Sequence, residues 1–415
     1  MPHWIGGIIM EKTMNVANDL GNGSIKMTLD GEFFLAPSVI ANEPEQEITA
    51  PVEFDNADQQ QQYMANFLNQ MDVTISSSVV KRQGRFLIAQ AAVDSQLPMT
   101  MFDVNDFAGK ADDDLAVILT LSMIAGKRVK DAFKEGEDLT ENLKVTVNMA
   151  TALPVTEGKQ AGVKDNYRQK YLKQRHQVTF HNFKDPITVD ITFQQVYVAL
   201  EGETAQFFIK YATSGLKEAL KQDLTANYPD LANQATVDDI VQADNVLGID
   251  IGEGTTDLVS IVNGKVNAAA SMSLAKGYGN VLQQAMDVLQ ANQMNFDSRA
   301  QLQNYLSSKV SPFAKKHQAK VQEYVYQQLE PFADQIIDAV SKTMRTTGAQ
   351  TELVFVYGGG ATPMLSQSHL REKLAAKLRN FNGGDDLPII WINPEYAQVM
   401  NMEGLKLILT AITKD

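Results

Sequence analysis

The sequence predicts an α/β protein of two related lobes, and three observations carry that prediction. Hydrophobic residues make up 44% of the 415-residue chain, enough to bury more than one core. Short apolar runs alternate with helical patterns and are joined in places by hairpin dipeptides, which implies mixed sheets covered by helices. One strand–turn–strand pattern also occurs twice. The first copy is Asp19-Leu20-Gly21-Asn22-Gly23-Ser24 and the second is Asp250-Ile251-Gly252-Glu253-Gly254-Thr255; each is followed by a strand-like run and a hairpin dipeptide, Asp30-Gly31 and Asn263-Gly264.

The elements follow in chain order. Residues 1–13 read as an upstream extension or a loose leader, because Met14 sits where the first strand should begin and the segment lacks the basic start of a signal peptide. Val16–Leu20 is a strand ending at the first turn, and Lys26–Leu29 pairs with Glu32–Ala36 across Asp30-Gly31. Residues 41–80 are polar and Gln-rich, with a helix at Asp58–Asn69. Gly84–Ala92 reads as a strand, Leu115–Ala125 as a buried helix, and Val145–Met149 as a buried strand. Ala152-Leu153-Pro154 closes the first lobe, and a basic stretch at 157–177 follows. Strands are expected at Gln177–Phe180 and Ile187–Val198, a helix at Glu203–Leu220, and a strand at Val246–Asp250 that enters the second turn. Arg299–Arg345 is helical with an interruption near Ser311-Pro312. Leu353–Tyr357 is a strand running into Gly358-Gly359-Gly360, and Pro394–Thr413 is a last helix. The expected division is a first domain over 14–156 with an insertion at about 38–105, a second over 157–393, and a helix over 394–415 returning to the first.

Composition narrows the chemistry. A formal net charge of −14 opposes direct binding to DNA or to an anionic membrane. With no cysteine and five histidines, zinc-finger, disulfide and thiol-catalysis readings fall away, and a reducing, cytoplasmic setting is expected. The longest apolar run, Leu115–Ala125, is about half the roughly 20 residues that a membrane span needs. The basic stretch at 157–177 reads first as solvated surface.

The duplicated turns carry the functional signal. Glycines let backbone N–H groups approach phosphate oxygens, and successive N–H groups make an anion-binding concavity. Gly21, Asn22, Gly23 and Ser24 would bind phosphates from one side, and Gly252, Gly254, Thr255 and Thr256 from the other. An aspartate stands just before each turn, and Asp19 and Asp250 suit Mg²⁺ held through water. Lys26, seven residues after Asp19, is placed to meet a β- or γ-phosphate. Glu253 is the candidate for orienting an attacking water. A strand, three glycines (Gly358, Gly359, Gly360) and then Thr362-Pro363 opening a helix suit close packing against adenosine. Lys276-Gly277-Tyr278-Gly279-Asn280 precedes a helix and would touch base or ribose; Leu282 in the last glycine position rules out a dinucleotide fingerprint.

In this order the motifs resemble the actin, Hsp70 and sugar kinase superfamily, and within it the bacterial actin-like plasmid-segregation ATPases of the ParM/StbA type. The resemblance runs from about residue 14 to 415. It is carried by Asp19 to Ser24 with Lys26, by Glu32 to Ser38, by Gly84 to Ala91, by Lys110 to Ala125, by Ala152-Leu153-Pro154 with Thr156-Glu157, by Asp250 to Asp257, by Tyr357 to Ala361, and by Ala397 and Gly404 in the last helix. It implies an actin-like fold: two lobes, each built on a ribonuclease-H-like core, around a nucleotide cleft. It further implies an ATPase (ATP or GTP, with Mg²⁺) that polymerises with copies of itself. A DNA-binding adaptor on a centromere-like site would supply the link to plasmid DNA, with no membrane partner. A small-molecule kinase of the same superfamily is the alternative; a chaperone-type ATPase is disfavoured because no separate β-rich substrate domain follows.

Overall fold

Two sheets organise the chain in a computed structural model that describes residues 12–43, 50–103, 109–347 and 350–414. Residues 1–11 of the expected extension lie outside the described residues, and Lys12 and Thr13 already belong to the first strand.

Among the described residues the first sheet has ten strands. They are β1 (Lys12–Leu20), β2 (Ser24–Leu29), β3 (Glu32–Pro37), β4 (Val39–Asn42), β5 (Asp72–Ser76), β6 (Arg85–Ile88), β7 (Met99–Met101), β8 (Leu143–Leu153), β9 (His176–Phe180) and β10 (Ile187–Leu200), in the order β3-β2-β1-β8-β10-β9-β5-β6-β4-β7. The second sheet holds β11 (Val246–Ile251), β12 (Thr256–Val262), β13 (Lys265–Val266), β15 (Leu353–Tyr357) and β16 (Ile389–Trp391) in the order β13-β12-β11-β15-β16, with β14 (Met272–Leu274) beside β12.

The same plan underlies both. Three antiparallel strands lie side by side, β1 to β3 and β11 to β13, and a later strand runs parallel to the first of the three, β8 on β1 and β15 on β11. Each five-strand core reads third–second–first–fourth–fifth, the order of the expected ribonuclease-H-like fold. The duplicated sequence is therefore a duplicated β-hairpin, one copy in each sheet. Its outer turns behave as their dipeptides require: Asp30 and Gly31 have φ of 51° and 83°, and Asn263 and Gly264 have 51° and 71°, the paired left-handed values of a two-residue type I′ turn.

Burial explains why these runs are strands. Successive side chains of a strand point to opposite faces. In β11, Leu247, Ile249 and Ile251 join one core while Val246 joins another; in β15, Val354 and Val356 face the first core, and Leu353, Phe355 and Tyr357 the second. Both faces are covered by helices, so the strand sequence is continuously apolar rather than alternating. In the first unit the helix Asp114–Glu135 is buried almost throughout its first four turns; Asp113 caps its start by accepting from Leu115 N at 2.9 Å, and Gly136 ends it at φ 72°.

The chain forms two compact units. One runs to Ala152 and takes in Gly162–Val198 and the chain from Ile408; the other holds Leu153–Ala161 and Ala199–Leu407. Beside the expected boundaries at 157 and 393, these units place Gly162–Val198, with β9 and most of β10, in the first and residues as far as Leu407 in the second. Three elements also depart from expectation. The strand at Gly84–Ala92 stops at Ile88, where Ala89 takes φ 54° and turns the chain into a short helix, Gln90–Asp94. The helix over Glu203–Leu220 is two, Glu203–Lys210 and Ser214–Asn227, because Thr213 caps the second by accepting from Leu216 N. The last helix is likewise split into Pro394–Ala397 and Met400–Ile412. The interruption near Ser311-Pro312 falls between Arg299–Ser307 and the long helix Lys315–Thr347.

Candidate functional site

The two turns close with the same hydrogen bond. Gly21 N donates to Ser24 O at 3.0 Å, and Gly252 N donates to Thr255 O at 2.9 Å. A Cβ on Gly21 would sit 2.9 Å from Ser24 O, and one on Gly252 would sit 3.0 Å from Thr255 O, so each turn's first glycine is required by its own closure. Each turn leaves a strand whose last inward carboxylate is nearly out of water: Asp19 is 5% exposed and Asp250 is 9% exposed.

In the first unit, Ser38 locks the turn by donating from Oγ to Gly21 O at 2.7 Å, while its N–H donates to Gly23 O. Lys110 Nζ donates to Leu20 O at 2.9 Å. Lys26 stands opposite Asp19 in the β1–β2 register, and its ammonium meets Asp19 Oδ2 at 3.4 Å. Asn18, a polar residue in the middle of a buried strand, donates to Thr120 Oγ1 on the buried helix at 2.9 Å.

In the second unit the residue matching Lys26 is Asp257, opposite Asp250 in the β11–β12 register. Asp257 accepts from Thr255 Oγ1 at 3.0 Å and from Ser273 Oγ, and is 2% exposed. The two hairpins thus share one register but reverse the charge on the second strand. Asp250 Oδ2 accepts from Asn401 Nδ2 at 2.7 Å. Burial, and then the nearby carboxylates of Asp250 and Asp257, push the Tyr357 hydroxyl far above its ordinary range, so it stays a neutral phenol. Burial pushes Tyr278 up to about 12.

The segment Lys276 to Asn280 packs directly against the second turn. Thr256 Oγ1 donates to Lys276 O at 2.9 Å, Tyr278 N donates to Gly252 O at 2.9 Å, and Gly279 N donates to Glu253 O at 2.8 Å. Gly277 is glycine because a Cβ would meet the Glu253 carbonyl group at about 2.5 Å. This start of the helix Tyr278–Ala291 therefore holds the turn's carbonyls inward. Glu253, the candidate water-orienting residue, has its carboxylate on Arg299, with Oε1 3.1 Å from Nη2.

The three glycines after β15 are not equivalent. Gly358 has φ 97°, and a Cβ there would lie 2.3 Å from Asp250 Oδ1; a Cβ on Gly360 would lie 2.7 Å from both Ile251 and Tyr278 side chains. Gly360 N also donates to Ile251 O at 2.8 Å. Both glycines are demanded by packing on the Asp250 strand. Gly359 is not: a Cβ there would meet nothing closer than Gln398 at 3.9 Å.

The structure thus groups Asp250, Gly252, Glu253, Gly254, Thr255, Thr256, Lys276, Gly358, Gly359 and Gly360 in one unit, and Asp19, Gly21, Asn22, Gly23, Ser24 and Lys26 in the other. Sequence reasoning assigned no role to Asn401 or Arg299, which arrive from distant helices. Among the described residues no group of three or more Asp, Glu, His or Cys side chains could cage a metal ion. That donor set fits Mg²⁺ only in the mode where phosphate oxygens and water supply most ligands and one or two carboxylates stand behind them. Of the six Lys and Arg residues in 157–177, Lys159 donates to Ser271 O at 2.8 Å, Lys170 to Ala111 O, Arg175 pairs with Asp190 and Arg168 with Asp165, so much of that charge serves internal contacts. No described helix is long and apolar enough to cross a membrane.

Residues 248–372, which hold the second turn and all three glycines, match the family model for the C-terminal part of the archaeal actin homologue MreB-like proteins. The crystal structure of actin-like protein Alp7A is 16% identical with a TM-score of 0.66, covering 97% of this chain and 97% of that one. Bacillus thuringiensis ParM with ATP is 14% identical with a TM-score of 0.59, over 98% of this chain and 100% of that one. Ta0583, an archaeal actin homologue, is 15% identical with a TM-score of 0.57, over 96% and 99%. No curated protein matches the chain. The fold is actin-like.

Proposed function

We propose that this actin-like chain is a nucleoside-triphosphatase (ATP or GTP) that assembles into filaments with copies of itself and, through a DNA-binding adaptor, segregates plasmid DNA. The observation that carries the nucleotide reading is the pair of turns. The same glycine closure follows the same buried carboxylate in both units, which is the device for presenting backbone N–H groups to phosphate. The solved Bacillus thuringiensis ParM with ATP lends support from the same fold.

On this reading both turns serve one nucleotide. The turns Gly21 to Ser24 and Gly252 to Thr256 would cradle its phosphates, with Gly21 N and Gly252 N closing the turns and the N–H groups that follow them donating, and Lys26 leaves Asp19 for a β- or γ-phosphate. Asp19 and Asp250 then orient water on the cation, and Lys276 lies by the base or ribose. Mg²⁺, when bound with the nucleotide, neutralises charge developing on the phosphate oxygens. Glu253, whose Oε1 lies 3.1 Å from Arg299 Nη2, would orient the attacking water with its carboxylate. Gly359, whose glycine no internal contact explains, would let the flat adenosine lie on the backbone. Positioning and charge stabilisation carry most of the rate in such chemistry. Right-angle light scattering with and without Mg-ATP, alongside phosphate release, tests the reading. Scattering that rises above a threshold concentration supports it; hydrolysis with no assembly but strong stimulation by a sugar favours a small-molecule kinase.

A further inference from the structure

Asn401, on the helix Met400–Ile412, reaches the strand that leads into the second turn. Asn401 Oδ1 accepts from Gly202 N at 3.0 Å and from Thr204 Oγ1 at 2.7 Å, while Asn401 Nδ2 donates to Asp250 Oδ2 at 2.7 Å. An amide has one accepting end and one donating end. With both donors of the Gly202–Thr204 segment on its carbonyl, its NH₂ is committed to the carboxylate. The helix lies hard against this segment, since a Cβ at Gly404, one turn on, would lie 1.9 Å from Thr204 O. On the carboxylate's other side Gly358 leaves just the space that Asp250 Oδ1 fills. Asp19, by contrast, is met by a lysine across its hairpin.

We propose that Asn401 is a positioning residue for Asp250, fixing the plane of its carboxylate for the hydrated Mg²⁺ of a bound nucleotide. This rests on the nucleotide reading above. Residues that orient a metal's carboxylates typically change metal affinity about 10–100-fold when removed. A residue that merely packs would change folding stability and leave the cation dependence alone.

The test follows a fluorescent ATP analogue on the full chain while Mg²⁺ is titrated, with a parallel measurement in EDTA. For Asn401→Ala the Mg²⁺ concentration at half effect should rise about 10-fold or more, with nucleotide affinity in EDTA unchanged. An unchanged Mg²⁺ dependence in folded Asn401→Ala overturns the proposal, as does an equal loss with and without Mg²⁺. If Asn401→Ala does not fold, Thr204→Val, which removes one anchor of the amide without touching Asp250, should show a smaller rise of the same kind, and no rise overturns the proposal. Wild type that binds nucleotide but ignores Mg²⁺ overturns the positioning role alone; wild type that binds no nucleotide overturns the proposed function and this role with it.

Discussion

At the scale of single residues, Gly358 and Gly359 separate what the fold needs from what a ligand needs. Alanine at Gly358 would combine a left-handed φ of 97° with a contact 2.3 Å from Asp250 Oδ1, and both act against the folded state. Gly358→Ala should lose more than about 1 kcal/mol, seen as an early thermal transition without any nucleotide. Gly359→Ala has open space around it, so its melting curve should match wild type while nucleotide affinity falls, as equilibrium titration will read. A Gly359→Ala variant with undiminished affinity would remove adenosine from that turn. Asp250→Asn keeps the shape and an acceptor for Asn401 but loses the charge. Phosphate release should fall by about 100-fold, the scale of losing one preorganised electrostatic contact, with secondary structure unchanged by circular dichroism. Equal release by wild type and variant would sink the assignment.

At the scale of elements, the contact between Met400–Ile412 and the Gly202–Thr204 segment is the most exacting in the second unit. Gly404 meets backbone, not a side chain that could swing aside, so Gly404→Ala must move a whole helix. Overpacking of that kind costs about 1–3 kcal/mol, and in a domain of about 200 residues each kcal/mol lowers Tm by about 2–4 °C. Differential scanning calorimetry should therefore show the variant melting several degrees early. A Tm equal to wild type would mean the helix has room that the geometry denies. The Asp114–Glu135 helix illustrates a different rule. Its sequence reads as an apolar run at Leu115–Ala125, but burial continues through Lys127, Arg128 and Val129. Lys127 achieves this by pairing with Asp131, and Arg128 by donating to Lys144 O and Glu137, so charge is buried only where it is bonded.

At the scale of the whole molecule, charge and duplication decide the expected partners. A chain at −14 repels DNA phosphates, and much of the one basic stretch is spent on internal carbonyls and carboxylates. In a gel-shift assay at about 0.15 M salt, where screening leaves short-range contacts, the chain alone should leave centromere-like DNA unshifted and should shift it once a basic adaptor is added. Tight binding by the chain alone would overturn the adaptor. Hydrolysis per molecule should also climb with protein concentration if assembly completes the catalytic geometry; a flat rate would separate hydrolysis from assembly.

Local chemistry alone determined much of this. Asp30-Gly31 and Asn263-Gly264 specify type I′ hairpins by backbone preference, the apolar runs of β11 and β15 specify strands covered on both faces, and the repeated Asp-x-Gly-x-Gly pattern specifies two turns with the same closure, because each signal lies within a few consecutive residues. Tertiary structure decided what no window of sequence contains. It placed β9 and most of β10 in the first unit, since strand pairing is set by a partner far away in the chain. It engaged Glu253 with Arg299 and Lys26 with Asp19. It divided a glycine triplet into two residues that packing demands and one that it does not. And it brought Asn401 from the end of the chain onto Asp250, a contact invisible in sequence because an isolated asparagine on a helix carries no pattern until the fold supplies its three partners.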